Sequence, residues 1–299
     1  NMTDVDYVVA LGGGSSIDAA KAMIALHGTG HDEDLIMKHL SSGVPISNAS
    51  DFIPLIAIPT TSGTGAEVTR WGTIWGDAGI KFSISDERLY PQFAVLDPDL
   101  CISMSPEITL STGLDALSHA LESIWNRNHS ILSDTLAVQA IVQVRKNLSI
   151  AYKDPADKAA RSDMQHASLL AGLAMGTTQT ALAHSISYPF TSMLGLPHGF
   201  ACSFTLPEIA RFNGEVAPER INLISQAFET TNEKLPDTMN AWFSSMGLGG
   251  YILKYVPKDF LETLKSDLIT RSRAANNIRD VDSEMAMTIA GRSLNDIRA

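Results

Sequence analysis

An α/β unit followed by an all-helical one is the fold class the sequence predicts, and three observations carry it. Short apolar runs closed by glycine- and threonine-rich loops occupy the first hundred residues, strand-like runs almost vanish after Ser103, and helical patterns fill the remainder. The expected division is 1–103 as an α/β domain and 104–299 as a helical one.

Val5 to Leu11 is a β-branched run stopped by Gly12, Gly13 and Gly14, which predicts a first strand and a tight turn. Ser15 to Leu26 then predicts a helix, with Ser15 as its cap, Asp18 in its first turn and Lys21 one turn later. Gly43 to Asp51 is rich in Gly, Ser and Pro and is expected to be a connector. Pro54 to Pro59 predicts a second strand that ends in the loop TTSGTGAEVT, and Phe93 to Leu96 a third before Asp97 and Pro98. The sheet is expected to be mainly parallel. A doubly wound nucleotide fold ordinarily has more strands and helices ahead of such a glycine turn, so a fragment or a shortened variant, truncated at its start, is expected.

Thr112–Trp125, Ile131–Ala151, Pro155–Ala174 and Gly199–Phe212 all read as helices, as does much of the chain after Pro218. Met164 to Pro207 contains no Asp, Glu, Lys or Arg, yet Thr, Gln, Ser, Pro and three His interrupt it. It therefore reads as buried helices of a globular core and not as a membrane span. The tail from Ala217 to Ala299 shows no readable chemistry.

With 22 Lys and Arg against 33 Asp and Glu, the formal charge of the 299 residues is −11. Such a balance gives no attraction to phosphate backbones or anionic lipid, so nucleic acid and membranes are not expected as partners. Cys101 and Cys202 stand far apart and outside any CxxC pair, which argues against a disulfide framework or a thiolate zinc site and for a reducing cytoplasm. The acidic start NMTDVDYVVALGGG lacks the basic region of a targeting peptide.

Two features carry chemistry. A strand, three glycines and a helix start offer free backbone amides to an anion, although the spacing matches neither GxxxxGK[ST] nor GxGxxG. A second small-residue loop, Thr60 to Gly65, follows another strand, and two such loops at adjacent strand ends could grip one dinucleotide. Asp115 and His119 lie four apart on a predicted helix, hence on one face. His184 and His198 sit among apolar residues where an unpaired imidazole would be costly. Three His and one Asp together would make a nitrogen and oxygen site suited to ferrous iron or zinc. His27, His31, His39, His129 and His166 read as solvated or ordinarily packed, Met23, Met164 and Met175 as core, and no HExxH or GxSxG occurs.

The segments GGGSSIDAAK, IPTTSGTGAEVT, LDPDL, STGLDALSHALE and AHSISYPFTSMLGLPHG, in this order, resemble the iron-containing (group III) alcohol dehydrogenases over about Val5 to Pro207. The resemblance implies a Rossmann-like N-terminal domain, an all-α C-terminal domain in a dehydroquinate synthase-like architecture, bound NAD or NADP, and a divalent metal, iron or zinc, in the cleft. Position by position it implies metal ligation by Asp115, His119, His184 and His198. It also implies pyrophosphate contacts from Gly13, Gly14 and Ser15 with Asp18 near the cofactor, a phosphate and ribose lining from Thr60, Thr61, Ser62 and Thr64, and a cofactor contact from Lys81. Tyr188 stands where some members carry a further histidine. In the family, the strand end that discriminates NAD from NADP lies upstream of the Val5 strand.

The activity implied is the interconversion of a small aldehyde and its primary alcohol, by a homo-oligomer, a dimer. LSTGLDALSHALESIWN with ALAHSISYPFTS is most similar to the phosphonoacetaldehyde reductase branch, and a phosphonate head would require a basic side chain in the cleft, for which Arg70 is the expected candidate. Two other readings stand beside it. A lyase of the dehydroquinate synthase kind would need several basic groups around ligands whose neighbourhood reads as apolar. A truncated, non-catalytic metal-binding module is the other.

Overall fold

Val8–Gly12 (β1), rich in valine, runs into the glycine turn and then into α1 (Gly14–Gly28). These elements come from a computed structural model that describes residues 4–46, 52–76, 81–264 and 268–298. Next come α2 (Glu33–Ser42), β2 (Leu55–Pro59), β3 (Trp71–Trp75), β4 (Lys81–Ser85) and the two-residue β5 (Phe93–Ala94). β1, β2 and β5 pair in parallel in the order β1-β2-β5, with Val8 opposite Leu55 and Ile56 opposite Phe93. β3 and β4 form a separate antiparallel ribbon in which Trp75 faces Lys81. Neither α2 nor β4 follows from the sequence reading, and of the connector expected at Gly43–Asp51, residues 47–51 lie outside the described ones.

The expected cap of α1 is corrected. The helix begins at Gly14 with Gly13 as N-cap and no capping side chain, so Ser15 lies inside the first turn and Asp18 beyond it. Its opening amides are thus left to a ligand. Ile17, Ala20, Ile24 and Ala25 of α1 pack with Leu55, Ala57 and Ile84 into a small core. Lys21 passes through this layer fully buried and donates to the carbonyls of Ala66 (2.7 Å), Thr69 (2.6 Å) and Trp71 (2.8 Å), which fastens the TTSGTGAEVT loop to the helix. Burial pushes the Lys21 ammonium down to about 8.

The rest is helical. α3 (Pro106–Ile124) starts earlier than Thr112 because Ser105 caps it, accepting from the Ile108 amide, and Pro106 suits its first turn. α4 (Ile131–Lys153), α5 (Lys158–Thr178), α6 (Leu182–Leu194) and α7 (His198–Ser203) pack around it, and from Thr109 to Ile124 only Thr112 of α3 is not buried. A helix buried all round belongs at the centre of a large core. The single helix expected over Gly199–Phe212 is divided, because Pro207 opens α8 (Leu206–Gly214) and cannot donate to a continuing helix. α9 (Pro218–Ala227), α10 (Leu235–Ser245), α11 (Leu248–Tyr255), α12 (Phe260–Thr263), α13 (Arg271–Ala274) and α14 (Ser283–Arg298) complete the chain. Among the described residues no helix is long and apolar enough to cross a membrane.

Candidate metal and cofactor site

A cavity of about 870 Å³ runs from the glycine turn, past the β3–β4 ribbon, to the ends of α6 and α13. Gly13, Gly14, Ser15, Asp18, Thr61, Thr64 and Lys81 line one part of it, and Asp115, His119, His184 and His198 the middle. Thr60 and Ser62 do not line it, contrary to expectation. The Thr60 amide donates to the Gly12 carbonyl and ties the two loops together, while Ser62 is buried with its hydroxyl 3.8 Å from Cys101 Sγ. The loops approach so closely that a Cβ on Gly14 would stand 2.7 Å from Thr64 Cγ2, so this glycine serves the packing of the loops as well as any ligand.

In the middle of the cavity, three imidazoles surround one carboxylate oxygen. Asp115 Oδ1 lies 3.7 Å from His119 Nε2, 3.6 Å from His184 Nε2 and 4.0 Å from His198 Nε2. Asp115 and His119 come from one face of α3, His184 from α6, and His198 opens α7. α7 comes close enough because residue 199 is glycine, where any Cβ would run into the Ser111 carbonyl oxygen of α3. Asp115 Oδ1 and His184 Nε2 are buried without hydrogen-bond partners, an arrangement whose cost is relieved by a cation. Donor atoms about 2.1 Å from a tetrahedral ion stand about 3.4 Å apart, so the observed separations are those of a slightly open ligand set. The residues fit a divalent metal.

Electrostatics agree with that fit. Burial pushes the Asp115 carboxyl up, yet His119 and the other two imidazoles hold it well below the ordinary carboxylate range. Burial lowers His119 and His198, although 32% of the His198 side chain is reached from the cleft, so both are poised as neutral donors. His184 differs. Burial opposes its charge, but Cys202 and the Glu122 carboxylate hold its imidazole well above the usual value.

Glu122 escaped the sequence reading. It is fully buried and accepts from the Ala181 amide (2.9 Å), the His184 amide (3.1 Å) and His184 Nδ1 (2.6 Å). With its Nδ1 proton committed there, His184 presents Nε2 to Asp115. A signal existed, since an acidic residue seven after Asp115 shares its helix face within an apolar run. Cys202 was also missed. It lies one turn after His198 with Sγ 3.6 Å from Nε2, and its donor atom falls within 4.8 Å of those of Asp115, His184 and His198. Burial holds its thiol up, and we take the carboxylate and three imidazoles as the primary set because they converge on one oxygen.

Two further expectations are corrected. Arg70 does not line the cavity; it pairs with Glu87 at 3.2 Å and lies over the Trp71 ring. The surroundings of the four residues are not apolar either, since Thr180, Tyr188, Thr191, Ser192, Thr270 and Arg273 face the same space. Two of these, Thr270 and Arg273, belong to the tail after Ala217, in which the sequence shows no readable chemistry. A second cavity of about 330 Å³, lined by groups such as Glu208, Arg211 and Asp282, brings none of these residues together.

Comparison with known proteins decides the lineage. The family model of iron-containing alcohol dehydrogenases matches residues 1–98, and that of the C-terminal part of the Fe-containing alcohol dehydrogenase family matches residues 109–246. The chain belongs to the iron-containing alcohol dehydrogenase family. It is 36% identical over 238 residues to an NADPH-dependent butanol dehydrogenase of Clostridium saccharobutylicum, covering 78% of this chain and 60% of that one. To a phosphonoacetaldehyde reductase of Streptomyces viridochromogenes it is 31% identical, over 96% of this chain and 75% of that one. Among solved structures, the sulfoacetaldehyde reductase of Bifidobacterium kashiwanohense in complex with NAD+ superimposes with a TM-score of 0.84 at 31% identity, covering 97% of this chain and 76% of that one. The chain spans about three fifths of the length of the first curated relatives it matches.

Proposed function

We propose that this iron-containing alcohol dehydrogenase homologue is a metal-dependent NAD(P) oxidoreductase that interconverts a small aldehyde and its primary alcohol. One observation carries the reading: three imidazoles and a carboxylate converge, with unpartnered buried donors, in the same cavity as an uncapped helix start between glycine and threonine loops. A divalent ion in such a set supplies Lewis-acid polarisation of a carbonyl oxygen, and a nicotinamide supplies the hydride.

The chain's own residues do the rest. Asp115, His119, His184 and His198 would hold the ion, ferrous iron or zinc. Glu122 keeps the proton of His184 on Nδ1, turning Nε2 inward. Gly13, Gly14 and Ser15 would offer amides to the pyrophosphate of NAD or NADP, with Thr61, Thr64 and Lys81 along its course. In this reading residues 1–103 serve the cofactor and 104–299 the metal. The finer reading, phosphonoacetaldehyde or a related aldehyde as substrate, is supported by the relatives of that kind.

The test is purified protein loaded with Fe²⁺ or Zn²⁺, given NADH or NADPH and propanal, and compared with chelator-stripped protein. Aldehyde-dependent oxidation that disappears on stripping is expected. Binding of both metal and nucleotide without turnover of any aldehyde would favour the non-catalytic module instead.

A further inference from the structure

Thr270 to Asn276 follows the turn between α5 and α6 like a laced edge. The Thr270 amide donates to Ser185 Oγ (2.7 Å), Arg273 Nη1 to Gln179 Oε1 (3.1 Å), and Asn276 Nδ2 to the Thr180 carbonyl (2.9 Å). Ser185 directly follows His184, so this lacing sets Arg273 in the wall of the cavity that also holds the histidine cluster.

Among the half-buried and buried arginines of the described residues, Arg161, Arg273 and Arg298 lack a carboxylate partner; Arg298 donates to the Pro257 carbonyl away from the cavity, and of the three only Arg273 lines it. Arg70, Arg145, Arg220 and Arg279 each meet a carboxylate, and Arg161 donates to Thr109 Oγ1 and to the carbonyls of Pro155 and Met104. Arg273 has one neutral acceptor, Gln179, and among the described residues no carboxylate partner. A guanidinium carries five donors in a fork suited to an oxyanion. Thr191, another residue of the cavity wall, has its Oγ1 buried with no hydrogen-bond partner. Lys81, the other cation of the wall, lies over the Tyr188 ring, 4.7 Å from its centroid, and on the ribbon beside the glycine turn.

We infer that Arg273, with Thr191, Thr270 and Ser272 of the same cavity wall, is an anion subsite that holds a tetrahedral oxyanion, a phosphonate or a sulfonate, at the far end of the aldehyde. The inference rests on the aldehyde–alcohol reading above and names its substrate class. In a chain of net charge −11 such a site must work locally, so its advantage falls as salt screens it.

The experiment compares kcat/KM for phosphonoacetaldehyde, sulfoacetaldehyde and propanal in the wild type, Arg273→Met and Arg273→Lys, with the equilibrium binding of 2-hydroxyethylphosphonate and of NAD(P)H measured by calorimetry. The wild type is expected to prefer an anionic aldehyde. Arg273→Met should lower that preference at least tenfold and weaken 2-hydroxyethylphosphonate binding, and Arg273→Lys should restore part of it. A phosphonate preference over sulfonate identifies the dianion, the reverse the monoanion. Preference for propanal in the wild type, an equal loss on all three aldehydes, or weakened NAD(P)H binding in Arg273→Met overturns the subsite. If no aldehyde is reduced, the functional reading fails, while the calorimetric arm still decides whether Arg273 binds the anion.

Discussion

β1 leaves Val9 and Leu11 57% and 58% exposed, whereas α3 hides all but one side chain from Thr109 to Ile124. The two halves of the cavity are thus held by different means. On the helical side, α3 and the successive helices α6 and α7 bring four donors together within one continuous core. On the sheet side, a small core supports loops that are tied down by single bonds, among them Lys21 to three carbonyls and Thr60 to Gly12. The candidate metal ligands are placed by packing, and the candidate cofactor loops by polar staples. The halves should therefore fail separately.

The largest effect is expected from His198→Ala. Loss of one donor and of several kcal/mol of charge stabilisation should reduce aldehyde turnover about a thousandfold and strip the ion, while NAD(P)H affinity stays within about twofold. Elemental analysis that finds full metal content in this variant would refute the ligand assignment.

Lys21→Met attacks the other half. It relieves the cost of burying an ammonium but leaves the carbonyls of Ala66, Thr69 and Trp71 without a donor. Each buried acceptor left unpaired costs about 1–3 kcal/mol, so the loss wins and the protein should be destabilised by about 2–4 kcal/mol. Denaturant melts read the stability and titration reads the nucleotide, whose affinity should fall while metal content holds. A simultaneous loss of metal would mean the halves are not independent.

How legible the site was follows the same division. Asp115 with His119 could be read because one helix face fixes their relation, and His184 and His198 because imidazoles in a charge-free stretch demand partners. The inward turn of Ser62 could not be read, since which threonine or serine of TTSGTG faces a ligand depends on loop torsions that no periodicity encodes. Arg70 was misjudged for a related reason: proximity in sequence to a loop does not predict Glu87 arriving from seventeen residues on. Arg273 is not legible in the sequence because its place depends on Thr270 and Asn276 reaching back to Ser185 and to the turn at Thr180 across more than eighty residues. Fold class, by contrast, needed only the contrast between short runs and long periodic ones.

Glu122→Gln is expected to act less strongly than loss of a ligand. A carboxamide can still accept from His184 Nδ1, but its NH2 group then meets an amide that also donates, and the anion that makes the imidazole a better ligand is gone. Metal affinity should fall about 10–100-fold. An unchanged dissociation constant would reduce Glu122 to a packing residue.

The smallest effect is a pH dependence, and its two parts run in opposite directions. A metal must displace the proton of His184, whose imidazole is held well above its ordinary value, with burial opposing and Cys202 and Glu122 raising it, whereas His119 and His198 are lowered and already neutral. Metal affinity should therefore fall about tenfold per pH unit as pH drops, beginning above about 6.5, the ordinary histidine value. In the metal-free protein the same raised group stabilises the fold. Its contribution is fully present below the unfolded value near 6.5 and is lost as pH rises through the folded one. Chelated protein should accordingly melt at lower temperature as pH rises across that window, while metal-loaded protein does not. In Glu122→Gln both dependences should move to lower pH, because the carboxylate that raises His184 is absent. A melting temperature of the chelated wild type that climbs with pH across this window would show that His184 carries no raised proton, and the account of how Glu122 prepares the site would fall with it.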